Sequence, residues 1–99
     1  MISFFSAQDV FREFSIAPQS DLEFIYAKYE FSSCEGDAHV IFLQNGVLYE
    51  VNDSHCSCNG LTNWKPEPTS LVALLYRPNV SDQAKSNLKE RFKNLIAFT

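Results

Sequence analysis

The chain has 99 residues, a formal net charge of −4, 45% hydrophobic residues and 14% aromatic residues. Such a length holds one domain with one modest core, and this hydrophobic content excludes a disordered chain. The acidic balance disfavours direct binding to free DNA or RNA, and no apolar run approaches the roughly 20 residues of a membrane-spanning helix.

Ser6 with Asp9 three positions later gives a capping signature ahead of Val10, Phe11 and Phe14 at helical spacing. Pro18 ends that pattern, so a short helix is predicted near Ala7–Ile16. From Leu22 to Phe31 the pattern becomes that of a strand, with Ile25, Ala27, Tyr29 and Phe31 expected on one face. Ser32 to Asp37 reads as a turn centred on Gly36. Ala38 to Leu43 is apolar on both faces and reads as a central strand covered on both sides. Asn45-Gly46 is a strong hairpin signal, because both central residues of a type I′ turn need positive φ. Val47 to Asn52 then alternates as a third strand, which completes a three-stranded antiparallel meander.

Residues 52–68 read as a long irregular connection holding Asn59-Gly60 and Trp64-Lys65-Pro66-Glu67-Pro68. Thr69 or Ser70 then caps a short helix carrying Leu71, Val72, Leu74 and Leu75, which stops before Pro78. Ser81 caps a last helix with Ala84, Leu88, Phe92, Leu95 and Ile96 on one face and Lys85, Lys89 and Lys93 on another. The expected architecture is α+β over residues 1–99 as a single domain. The meander packs with a short N-terminal helix and two C-terminal helices.

Charge is unevenly laid out. Residues 1–64 hold nine Asp/Glu and two Lys/Arg, whereas residues 65–99 hold three and six. Asp21, Glu23, Glu30, Glu35, Asp37, Glu50 and Asp53 lie on or beside the strands. Antiparallel pairing gathers several of them at the sheet's rims, where they either protect an edge or present a negative face to a basic partner. Carboxylates held about 5–7 Å apart can also imitate successive phosphates. The lysine ridge reads as a solvated helix face, and it also offers an acidic second copy a place to pair.

The string Ser54-His55-Cys56-Ser57-Cys58 raises metal and thiol chemistry. A tetrahedral zinc site wants four Cys/His ligands, and Cys56-x-Cys58 is one residue tighter than the usual pair, so Cys34 or His39 must complete it. The up-down-up path brings the Cys34–His39 region and His55 to the same end of the sheet. Thiol catalysis is less well supported, because neighbours such as His55 and Cys56 point to opposite sides of an extended chain. The economical reading has the thiols packed in the core, with no metal and no cofactor. No phosphate-cradling glycine loop and no acid–base carboxylate pair stands out, so the chain is not expected to be an enzyme. Three cysteines and the lack of a signal-peptide pattern point to a soluble, cytoplasmic protein with reduced thiols.

Tyr29-x-Phe31, Gly36-Asp37-Ala38, Asn45-Gly46, Leu48-Tyr49-Glu50-Val51, Ser54-His55-Cys56-Ser57-Cys58-x-Gly60-Leu61, Trp64-x-Pro66-Glu67 and Thr69-x-Leu71 form one pattern. Over residues 29–74 the chain resembles a group of small proteins encoded by bacterial phages and prophages. The resemblance implies a mobile-element origin and a bacterial host cell, and it brings no catalytic residues. Small acidic proteins of that origin often block a host defence complex, as anti-CRISPR proteins do, which is an analogy of origin and size. The leading expectation is therefore an interaction protein. It inhibits a bacterial nucleic-acid-handling or ribonucleoprotein complex by occupying a basic site, in the extreme as a nucleic-acid mimic. The alternatives are a zinc-stabilised module using His55, Cys56 and Cys58, and a phage structural or regulatory protein that forms a homodimer through its helices.

Overall fold

Asn45 and Gly46 take φ values of 53° and 78°, the two left-handed conformations that a two-residue type I′ turn demands. This turn sets the register of the two strands it joins. The computed structural model describes residues 10–12, 14, 16–17, 21–32, 35–55 and 64–93, with Phe31, Ser32, Glu35 and His55 placed by backbone alone. Strands β1 (Leu22–Ser32), β2 (Glu35–Gln44) and β3 (Val47–His55) form the expected antiparallel meander. A fourth strand, β4 (Glu67–Thr69), pairs antiparallel with β3, so the order is β1-β2-β3-β4. The class is α+β, with four strands among the described residues where three were expected.

The prolines concealed β4. In a two-residue hairpin the flanking pair, here Gln44 and Val47, exchanges both main-chain bonds, so every second pair, including Phe42 with Tyr49, does likewise. The main-chain groups of Tyr49 therefore face β2, and Pro68 opposite it on β4 forfeits no ladder bond. The predicted turn at Ser32–Asp37 is also corrected. Gly36 lies within β2, buried between Phe31 of β1 and His55 of β3.

A bulge between Phe24 and Tyr26 leaves Ile25 without a Cα partner on β2 and shifts the alternation of β1 by one. As a result Leu22, Phe24, Ala27 and Tyr29 share one face of the sheet, while Ile25 and Tyr26 serve the other. This corrects the expectation that Ile25 sits beside Ala27 and Tyr29. Asn87 Nδ2 donates to the outward-turned Ile25 carbonyl at 3.0 Å.

β2 is covered on both faces over residues 40–43, as expected, while Asp37 and His39 stay open on one of them. On one face Ala38, Val40 and Phe42 pack with Val51, Tyr29, Val10 and Phe14. Residues 10–12 are helical there, and the Phe14 N–H donates to the Val10 carbonyl at 3.1 Å. Phe42 is the hub of this layer. Its ring stacks on Trp64 at 5.6 Å and on Tyr49 at 5.4 Å, and Phe14 meets Trp64 edge-on at 5.0 Å. Each such pair adds about 0.5–1.5 kcal/mol beyond area burial.

On the other face Ile41, Leu48 and Tyr26 pack against two helices, α1 (Leu71–Tyr76) and α2 (Asp82–Arg91). Both begin as the sequence proposes. Ser70 Oγ accepts the Ala73 N–H at 3.1 Å, and Ser81 Oγ accepts the Ala84 N–H at 3.1 Å. Each cap is worth about 1 kcal/mol. Leu74, Ala84 and Leu88 carry the buried stripe. The expected caps Ser6 and Asp9, together with Leu95 and Ile96, lie outside the described residues. No helix among the described residues is long and apolar enough to cross a membrane.

Candidate functional site

α1 and α2 are short, and they cover only the half of their sheet face nearest the Asn45-Gly46 turn. Beyond that cover the same face turns polar. Register builds it in cross-strand rows: Tyr26–Ile41–Glu50–Glu67, then Lys28–His39–Asn52, then Glu30–Asp37–Ser54. The second and third rows floor a groove of about 520 Å³, and Asn79 and Ser81 of the α1–α2 connector wall it. The groove exists because alternation places polar residues on this face just where the helical layer ends.

Glu30 and Asp37 lie directly opposite one another on β1 and β2, both exposed. Like charges in that relation work against strand pairing. Lys28 relieves part of this by pairing with Glu30 at 2.5 Å. Asp37 makes no ion pair among the described residues.

Glu50 is the one buried charged residue among those described, at 6% exposure. It accepts from Arg77, at the C-cap of α1, and from His39 Nε2 at 2.6 Å. An ionised carboxylate only accepts, so Nε2 carries the proton in that contact. Burial alone pushes the Glu50 carboxyl up, but the bonds from Arg77 and His39 outweigh it and hold the group below its ordinary value. Arg77 Nε is buried without a hydrogen-bond partner. His39 also meets the Tyr26 ring edge-on, at 5.7 Å between centroids.

The seven predicted carboxylates are thus divided. Glu30 and Asp37 converge on the groove, and Asp53 joins its lining from the opposite alternation, with Oδ1 accepting the Ser54 N–H at 2.9 Å. Glu50 lies beneath the surface. Asp21 and Glu23 lie at the far end of β1, where Asp21 accepts from Gln44 at 2.6 Å and Arg91 grips Glu23 through both oxygens, at 2.5 and 3.0 Å. That Arg91 bond holds the Glu23 carboxyl below its ordinary value. Glu35 is placed by backbone only, opposite Ser32.

Asn52, Arg77, Asn79 and Ser81 were not among the predicted site residues, and His39 figured there as a fourth ligand of a zinc site. His39 was legible in part, since the register set by Asn45-Gly46 brings it within one row of Glu50. Arg77 and the connector were not, because nothing local in the sequence says where the helical layer ends.

Among the described residues no group of His, Cys, Asp and Glu is arranged to hold a metal ion. Cys34, Cys56 and Cys58 lie outside the described residues, and His55 closes β3 opposite Gly36. His39 Nε2 is engaged by Glu50, which removes that nitrogen from any cysteine-based site. No family model, curated protein or solved structure matches the chain.

Proposed function

We propose that this chain is a non-enzymatic interaction protein of phage type, which docks its polar sheet end onto a basic site of a bacterial nucleic-acid-handling complex. The observation that carries the reading is the apposition of Glu30 and Asp37 at the groove. Two like charges are held in direct register where a neutral pair serves the fold better, and a cationic partner group relieves the conflict. The host complex as partner, and inhibition of the anti-CRISPR type, come from the resemblance and the analogy drawn from it.

The geometry favours insertion of a basic side chain over imitation of a nucleic-acid strand. A mimic needs a sustained row of free charge, and here Glu23 and Glu50 are spent on Arg91 and Arg77. Asp37, together with Glu30, which also holds Lys28, suits a lysine or arginine entering over Tyr26 and His39.

The test is capture and inhibition of a host complex at several salt concentrations, by the natural chain and by a Glu30→Lys, Asp37→Lys double variant. Binding is expected to weaken as salt rises and to be lost in the double variant, which keeps its thermal unfolding transition. Equal capture by the double variant removes the proposal.

A further inference from the structure

The α1–α2 connector walls the groove and packs Val80 into the core beside Ile41, yet its polar holds on the sheet are few. Asn79 and Ser81 face the groove, and Val80 between them is buried. The Val80 N–H makes a long 3.4 Å contact with the Arg77 carbonyl, as a turn with Pro78 at its second position. Among the described residues the one polar tie from the connector to the sheet is Arg77 on Glu50. That same carboxylate fixes His39, in the floor of the groove. On its other side Asn52, Lys65 and Glu67 line a separate cavity of about 190 Å³ with Glu50, and Arg77 and His39 are the groups that bond it.

We infer that Glu50 is a positioning residue for the groove. Through Arg77 it latches the wall to the sheet, and through His39 it sets the floor, so a single buried carboxylate fixes the separation of the two surfaces. The inference rests on the groove being the docking site, and it assigns Glu50 to the shape of that site rather than to contact with a partner. The orphaned Nε of Arg77 fits a latch under load: one guanidinium nitrogen is bonded and another is buried without an acceptor. Such a latch lets the connector lift as a local event while the β2–β3 core stays closed.

Amide hydrogen exchange on the free protein tests this without any partner. In Glu50→Gln, protection at Val80 and Ala84, whose N–H groups bond the Arg77 carbonyl and Ser81 Oγ, is expected to fall about tenfold or more, the effect of losing one charged hydrogen bond, while Val40 and Val51 keep theirs. Arg77→Gln should release the connector in the same way, and Arg77→Lys, which keeps the charge, should retain most of the protection. Unchanged protection at Val80 and Ala84, or an equal fall at all four amides, overturns the latch. Should Glu50→Gln fail to fold, Arg77→Gln reads the same quantity from a side chain already 38% exposed. Failure of the docking reading shows separately, as host capture that ignores Glu30 and Asp37 while the connector still loosens.

Discussion

His39 and Glu50 stand on adjacent strands one row apart, and their side chains meet at 2.6 Å beneath the groove, with Arg77 closing on the same carboxylate oxygen. The Glu50 carboxyl is held below its ordinary value, so its contribution to stability is fully present above the ordinary carboxylate range and is lost as pH falls through the lowered value. The stability gap between the natural chain and Glu50→Gln should therefore be widest near neutral pH and close in acid. Urea midpoints measured across that range check this, and a gap that does not change with pH contradicts it.

Glu50→Ala should cost about 2 kcal/mol at neutral pH. This is less than the ~3–5 kcal/mol of breaking a fully buried pair, because Arg77 is 38% exposed and regains water. Equilibrium unfolding gives the value directly.

Asp37→Asn should stabilise the free protein by a few tenths of a kcal/mol, since it removes the like charge opposite Glu30, and it should weaken capture of the host complex. The two effects have opposite signs. Chemical unfolding and binding measured on the same variant separate a docking residue from a merely solubilising one.

Phe42→Leu should destabilise by about 1–2 kcal/mol through lost stacking on Tyr49 and Trp64. It should also shift the emission of Trp64, the chain's single tryptophan, towards that of a more solvated indole. Gly46→Ala should cost about 1 kcal/mol from backbone strain alone. Its φ is +78°, and an added Cβ meets nothing within 4 Å.

Elemental analysis of protein purified without added metal decides the zinc-stabilised alternative. The interaction reading expects no stoichiometric metal, and one zinc per chain would favour a module held together by His55, Cys56 and Cys58.

Where a feature is settled by a few adjacent residues, it was legible in the sequence. Asn45-Gly46 announced the hairpin, and Thr69-Ser70 and Ser81 announced both helix starts, the first cap proving to be Ser70, because turn φ and cap bonds are local chemistry. The bulge at Ile25 was not legible. Its unbroken run of aromatic and β-branched neighbours fits either phase, and tertiary packing chooses between them. β4 was hidden by two prolines that only the three-dimensional edge position makes harmless. Within the site, Glu30 and Asp37 could be named, but separating them from Glu23 and Glu50 required knowing where α2 and the connector bring Arg91 and Arg77.

The Asn87 contact with the Ile25 carbonyl has a consequence for how copies of the chain behave at high concentration. A strand approaching the outer side of β1 finds that acceptor already occupied and the strand kinked by its extra residue. The end of β1 beneath α2 is therefore a poor template for fibril growth, and the molecule carries its safeguard against self-association where its own helix touches it.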